Sequence, residues 1–293
     1  MKKLLFLFSV IALAACGDSD DGVNTPPDVP SPRLLTVVVG ENPMQDESAP
    51  SREMTRAGDA TTTASLTAFS MNYENNKYDF TKKSGTWSTI YWLDGLASDT
   101  QIDFYAYNGG TFNWNSGNPY IAFTTDSEVA FMKDFLVAKH EKISYDVALA
   151  EGKKWTGEDK VAVVSQTFDH ACAAVQFKIY KEESTAYSVS SIVLKDVRTQ
   201  GDYYFNNTGS TPKWQNVGTT KDYELHTSSI AVTNAHQLLP CGWLYLIPQS
   251  KSGITIDVTY SKAGAASTTK TLNLSSGTWE AGMQYTVNIK IGK

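Results

Sequence analysis

Strict alternation of apolar and polar positions runs through Ile102/Phe104/Ala106, Val175/Phe177/Ile179, Ile254/Ile256/Val258/Tyr260 and Tyr285/Val287/Ile289/Ile291. Successive side chains of a strand point to opposite faces, so each run reads as a half-buried β-strand. Leu34 to Val39, short and rich in β-branched residues, is the first strand candidate. Polar turn signals separate the runs: Asn108-Gly109-Gly110, Ser116-Gly117-Asn118-Pro119 and Asn206-Asn207-Thr208-Gly209. Only 126–139 could hold a helix of any length, and a single turn is the expectation there. Short strands joined by polar turns predict an all-β chain of antiparallel sandwiches. Gly40 to Ser65 reads as a polar, uncompacted stretch carrying Pro43, Pro50, Arg52 and Arg56, and a second polar break falls at Glu151–Lys160. That break sets the predicted boundary between domains at 34–155 and 156–293.

The N-terminus follows a different pattern. Lys2 and Lys3 precede an apolar run from Leu4 to Ala15 that only Ser9 interrupts. A membrane-spanning helix needs ~20 residues, so this run reads as the core of an export signal, residues 1–15. Leu13-Ala14-Ala15-Cys16 is a lipobox: a branched residue, two small ones that let a peptidase approach the backbone, then the cysteine whose thiol is acylated. Cleavage is expected between Ala15 and Cys16, with Cys16 as the lipid-bearing N-terminus. The following Gly-Asp-Ser-Asp-Asp-Gly lacks calcium-loop spacing, because Gly22 stands where a third ligand belongs. It reads as a solvated leader, and it resembles the surface-export signal of Bacteroidetes lipoproteins. Pro26, Pro27, Pro30 and Pro32 complete an extended tether over 16–33. The resemblance implies an outer-membrane, cell-surface location, held by an acyl chain that contributes ~0.8 kcal/mol per buried CH₂.

Composition narrows the function classes. The formal net charge is −6, and removing residues 1–15 takes away two lysines and no acid, leaving −8. Such a chain suits neither nucleic acid nor an anionic membrane surface. The 7 Trp, 15 Tyr and 12 Phe supply material for packed cores, and about 278 mature residues point to two domains. With Cys16 committed to lipid, Cys172 and Cys241 remain, and they could be bridged in an oxidising compartment or stay as free buried thiols.

No catalytic pattern is present: neither His-Glu-x-x-His, Gly-x-Ser-x-Gly, Gly-x-x-x-x-Gly-Lys nor Cys-x-x-Cys occurs. Ser165, Asp169 and His170 are close in sequence, but a triad depends on geometry, and a buried His170 with a backbone partner is the plainer expectation. The histidines at 140, 170, 226 and 236 are scattered, so no metal site and no cofactor are expected. One tract could meet a ligand. Tyr105, Tyr107, Phe112, Trp114 and Tyr120 alternate with Asn108, Asn113, Asn115 and Asn118. Aromatic faces stack on the C–H faces of sugars while amides bond hydroxyls, making Tyr105, Tyr107, Trp114 and Tyr120 candidate glycan contacts. The plainer reading is a hairpin whose aromatics fill the first core and whose asparagines make turns.

Several segments together resemble a family. Trp87…Tyr91-Trp92-Leu93…Ile102-Asp103-Phe104-Tyr105-Ala106-Tyr107 looks like the first-domain signature of fimbrillin-like proteins, with Leu93 in place of the usual proline. Asp134-Phe135-Leu136-Val137-Ala138 resembles the family's Asp-Leu-Leu-Val-Ala. The segment Phe168-Asp169-His170-Ala171-Cys172-Ala173-Ala174-Val175-Gln176-Phe177 resembles its Phe-x-His-Ala-Leu-x-x-Val-x-Phe, with Cys172 for leucine, which favours a buried thiol over a bridge. The closing Gly282-Met283-Gln284-Tyr285-Thr286-Val287 is similar to its final strand, and Met54-Thr55-Arg56-Ala57 to its cleavage tract. Order and spacing carry the likeness, which covers nearly the whole chain.

The resemblance implies two transthyretin-like β-sandwich domains in tandem, in a component of Bacteroidetes surface fimbriae. It implies that an arginine-specific protease cuts after Arg56 or Arg52 and removes the first strand, with Leu34, Leu35, Val37 and Val39, so that a neighbouring subunit's strand takes its place. Because the sequence ends at Lys293 just after the 285–291 run, the expectation is a subunit that accepts but does not donate, of tip or accessory type. Expected partners are other fimbrial subunits, the outer membrane through the lipid, and a host or bacterial surface glycan or protein. The alternative is a stand-alone surface lipoprotein that binds glycans and never polymerises; an enzyme is not expected.

Overall fold

The alternating runs take the extended form that their period predicts. A computed structural model describes residues 33–47, 66–93, 95–115, 117–156, 161–206, 213–274 and 276–292. Ala15, Cys16, Arg52 and Arg56 lie outside the described residues. Elements are labelled in chain order.

The first sheet contains β1 (Leu34–Glu41), β3 (Ala68–Tyr73), β4 (Asn76–Lys83), β5 (Thr86–Trp87), β6 (Ile90–Tyr91), β7 (Ile102–Tyr107), β10 (Leu136–Ile143) and β11 (Val161–His170). Their order is β5-β4-β3-β7-β10-β11-β1-β6. The second sheet holds β2 (Gln45–Asp46), β12 (Ala173–Lys181), β16 (Gln237–Leu238) and β22 (Met283–Ile291) in the order β16-β12-β22-β2, with β17 (Leu244–Leu246) also on β12. Facing it are β8 (Thr111–Asn113), β9 (Tyr120–Thr124), β13 (Tyr187–Tyr204), β14 (Trp214–His226), β15 (Ile230–Val232), β19 (Thr255–Lys262) and β20 (Thr268–Asn273). The short pair β18 (Gln249–Ser250) and β21 (Thr278–Trp279) completes the set. The chain is nearly all β, a tandem of sandwich lobes.

Two buried clusters define the lobes. Leu35, Phe69, Phe80, Trp92, Phe104 and Phe168 belong to the first, and Phe177, Leu194, Tyr223, Ile256, Trp279 and Ile289 to the second. Strand alternation makes β7 and β10 a wall common to both. Ile102, Phe104 and Ala106 face the first cluster, while Tyr105 and Tyr107 enter the second; likewise Leu136 and Ala138 face the first and Val137 the second. The second cluster therefore draws residues from well ahead of position 155, and β9 hydrogen-bonds to β13 along Tyr120–Thr124.

Three features differ from the sequence expectation. First, β1–β11, β12–β22 and β2–β22 are parallel pairs in an otherwise antiparallel frame. No tight turn joins these partners, so nothing obliges them to run antiparallel. Second, the polar segment 145–156 forms a helix, α1 (Tyr145–Thr156). It buries Ala148 completely, and a Cβ on Gly152 would stand 1.8 Å from the Val161 carbonyl oxygen. Close approach by small residues holds this helix, where a stripe of large apolar ones would have been visible. Third, Gly40–Ser65 is not uncompacted throughout: Met44 is buried in the second cluster and β2 pairs with β22. The single turn expected within 126–139 is present as a 3₁₀ turn at Val129–Phe131.

Candidate functional site

The first strand is held firmly on one side only. On one flank β1 pairs with β11 over its whole length, from Leu34↔Val161 to Glu41↔Phe168. On the other flank it meets β6 at just two positions, Leu34↔Tyr91 and Leu35↔Ile90. Leu35 and Val37 point into the first cluster at 0% and 4% exposure, and Val39 packs at its border. Full burial of such a side chain contributes ~1.5–3 kcal/mol, so the seam beneath β1 is apolar and stays dry only while a strand lies in it. Lifting a strand away would leave both this trough and the facing amides of β11 without partners.

The segment around β1 is pinned at both ends. Upstream, Arg33 donates from Nη1 to the Leu96 carbonyl at 2.8 Å and stacks its guanidinium 5.0 Å from the Tyr145 ring centre. The Trp92 amide donates to the Arg33 carbonyl at 2.7 Å. Downstream, the Asn42 amide donates to the Phe168 carbonyl at 2.9 Å, and its side-chain amide to Asp169 Oδ1 at 2.6 Å. The chain then crosses to the second lobe. Gln45 N–H donates to Gly282 O at 2.7 Å and Glu47 N–H to Gln284 O at 3.1 Å, and Met44, just before them, is buried in the second core. Residues 33–47 are thus one strap laid over both lobes.

Beneath the strap lies a cavity of about 490 Å³, walled by Asn42, Gln45, Asp169, His170, Tyr203 and Trp214 among others. The sequence neighbours Ser165, Asp169 and His170 diverge here. The Ser165 carbonyl lies 2.7 Å from His140 Nδ1, the Asp169 carboxylate accepts from Asn42, and His170 Nδ1 bonds Asp134 Oδ2. A carboxylate is thus one partner of buried His170, and the pair is almost completely enclosed. A lone buried carboxylate is costly, and a charge-capable hydrogen-bond partner offsets that cost. No triad geometry results.

Cys172 and Cys241 are both free thiols. Burial, with the Asp134 charge second, pushes the Cys172 thiol well above its usual range. Burial likewise pushes Cys241 up to about 11. Neither favours a thiolate nucleophile at neutral pH. Among the described residues, no group of three or more His, Cys, Asp or Glu is arranged to hold a metal ion.

The aromatic tract serves mainly as packing. Tyr105 and Tyr107 are 2% and 5% exposed within the second cluster. Tyr105 lies 5.0 Å from Phe205 and 6.4 Å from Trp114, centre to centre, and the Tyr107 hydroxyl donates to Asn72 at 2.9 Å. Buried this way, neither ring offers a face to a sugar. The aromatics do fill a core, but it is the second cluster and not the first. Trp114 is half-buried against the same cluster, whereas half-buried Tyr120 stacks on Tyr204 at 4.9 Å. The Tyr204 partner was not legible in the sequence, since it arrives through the β9–β13 pairing.

An all-β tandem of sandwich lobes, with its first strand paired fully along one flank and at two positions along the other, defines the class of fold. The family comparison gives that class its name: the model described as fimbrillin-like matches residues 53–293, and the chain belongs to the fimbrillin-like family. Among curated proteins no sequence matches. Among solved structures, a candidate cell adhesion protein from Parabacteroides distasonis matches with TM-score 0.52 at 10% identity, covering 87% of this chain and 88% of that one. Another, from Bacteroides ovatus, matches with TM-score 0.51 at 12% identity, covering 89% and 92%. At these identities the likeness bears on the fold alone.

Proposed function

We propose that this chain is a cell-surface lipoprotein that becomes a fimbrial subunit by exchanging its first strand. The observation that carries the proposal is the lopsided pairing of β1: eight residues against β11, two against β6, with Leu35 and Val37 buried below. A strand so placed can leave without dismantling the sheet, and an incoming strand would satisfy the same amides and the same trough. In this reading Cys16 carries the lipid after cleavage at Ala15, and a protease cutting after Arg56 or Arg52 frees the strap. β22, with Tyr285, Ile289 and Ile291 buried, belongs to its own sandwich and is not the strand given to a neighbour, and we take the subunit to be of tip or accessory type. Partners are then other fimbrial subunits, with adhesion as the outcome and no catalytic step.

Trypsin on the full precursor tests this directly. The expected product is a stable core beginning at Ala57 or Glu53 that forms oligomers, while the Arg52→Ala/Arg56→Ala double variant stays intact and monomeric. A trimmed core that remains monomeric at every concentration would overturn strand exchange. Loss of palmitate labelling in Cys16→Ala tests the anchor separately.

The Tyr120–Tyr204 stack favours a second reading, a stand-alone lipoprotein that binds glycans at that aromatic step. A glycan-array signal lost in Tyr204→Ala, from a chain that does not polymerise, would select it.

A further inference from the structure

Among the described residues the second sandwich has an open side of its own while the strap is in place. β22 is flanked by β12 from Gln284 to Ile291, but among the described residues it meets on the other flank only the two residues of β2, at Met283 and Gln284. The carbonyls that accept from Gln45 and Glu47 belong to Gly282 and Gln284. Backbone groups of alternate residues point the same way in a strand, so the amides and carbonyls of Thr286, Asn288 and Lys290 face this flank. Among the described residues no strand pairs with them. The edge borders a groove of about 500 Å³ that runs across to β20, itself the outermost strand of the facing sheet.

The groove has a defined chemistry. Its walls include Leu272, Leu274 and Val287, and its charged lining is Lys251, Lys270 and Lys290 against the single carboxylate of Glu47. Lys290 is bound to Glu182 and Lys251 lies 3.8 Å from Glu47, which leaves Lys270 with no carboxylate in ion-pair range among the described residues. This is a local excess of positive charge on a chain whose net charge is −6. Trp279, wholly buried in the same wall, has an indole N–H without an acceptor among the described residues. Buried indole N–H groups ordinarily find one.

We infer that the Thr286–Lys290 edge of β22 is a β-augmentation site for an extended segment of another polypeptide, with apolar residues alternating with acidic ones. β2 shows the mode within the molecule: a short parallel strand occupies the first two positions of this edge, and an added strand continues from there. The apolar side chains of the guest enter between Leu272 and Val287, its carboxylates meet Lys270, and its backbone pairs with the three free positions. This site does not depend on cleavage after Arg52 or Arg56, so it stands or falls apart from strand exchange.

The test is hydrogen exchange read residue by residue on the full, uncleaved chain, with and without a capped eight-residue peptide of alternating valine and glutamate. The amides of Thr286, Asn288 and Lys290 should exchange fast in the free chain and slowly with the peptide, while Tyr285, Val287 and Ile289 stay slow throughout. Peptide affinity should fall about tenfold or more in Asn288→Pro, which removes one free-flank amide yet leaves the β12 ladder intact. Asn288→Ala controls for the lost contact to His236, and Lys270→Glu, at an exposed position, should weaken binding without altering the melting temperature. A lysine-for-glutamate peptide binding equally well would overturn the acidic partner. Slow exchange of all three amides in the free chain, or protection that rises with protein concentration alone, would overturn the site by showing the edge already covered or filled by a second copy.

Discussion

β1 and β22 resemble each other in geometry and differ in consequence. Each pairs in parallel with one of two consecutive strands, β1 with β11 and β22 with β12, and among the described residues each has only a two-residue neighbour on its far side. β1 contributes two fully inward side chains to the first cluster, Leu35 and Val37. β22 contributes Tyr285, Ile289 and Ile291 to the larger second cluster and anchors the strap as well. Detachability is therefore not a property of an edge strand as such. It depends on how much of a core leaves with the strand, and on whether another part of the molecule pairs with it.

Opposed charge insertions give the sharpest version of this contrast. Ile289→Asp buries an unpaired carboxylate in the second core and should cost more than about 4 kcal/mol, enough to lose cooperative folding in a urea titration. Val37→Asp should instead loosen the strap, so that trypsin reaches it within minutes while the rest of the chain melts nearly as before. Equal damage from both would erase the distinction between the strands.

The wall common to the lobes is next. Asp134 and His170 are 0% and 2% exposed and bonded to each other. Asp134→Ala leaves the imidazole without this partner and should destabilise by ~3–5 kcal/mol, lowering the urea midpoint with both lobes unfolding together. Separate transitions would show that the pair does not couple them.

Gly152→Ala probes the first lobe through α1, whose Tyr145 carries the Arg33 guanidinium of the strap. The added Cβ would stand 1.8 Å from the backbone oxygen of Val161, which pairs with Leu34 of β1. Because that atom cannot swing aside, the helix must shift, at a cost of ~1–3 kcal/mol. Faster tryptic release of the strap should accompany the loss, and an unchanged release rate would separate α1 from the seam.

The smallest effect is a pH dependence centred on the second lobe. Burial raises the Cys241 thiol to about 11 and raises Cys172 as well. A group whose folded value is raised stabilises fully below its unfolded value and loses that contribution as pH rises through the folded one. Stability should thus hold up to pH 9 and decline towards about 11, and the Cys172→Ala/Cys241→Ala variant should flatten the decline. Iodoacetamide should leave Cys172 untouched in the folded chain at pH 7.5.

Much of this architecture was legible before any coordinates. The period-two runs became β7, β12, β19 and β22 because alternation is a local property that a half-buried strand imposes on its own residues. Leu35 and Val37 likewise declared their inward face. What escaped detection was of another kind. Helix α1 packs through Ala148 and Gly152, residues too small to mark an apolar stripe. Met44 is one apolar side chain in a polar stretch, and Asp134 finds His170 across 36 positions.

The amino-acid order by itself determined the strand-rich class and the order of segments shared with the fimbrillin-like family. Only the tertiary structure decided which neighbours each strand acquired, that Tyr105 and Tyr107 turn into the second core, and that one strap spans both lobes. The reason is physical. Periodicity reports which face of an element is dry, whereas pairing and enclosure depend on surfaces brought together from residues more than a hundred positions apart, and no local pattern encodes the partner.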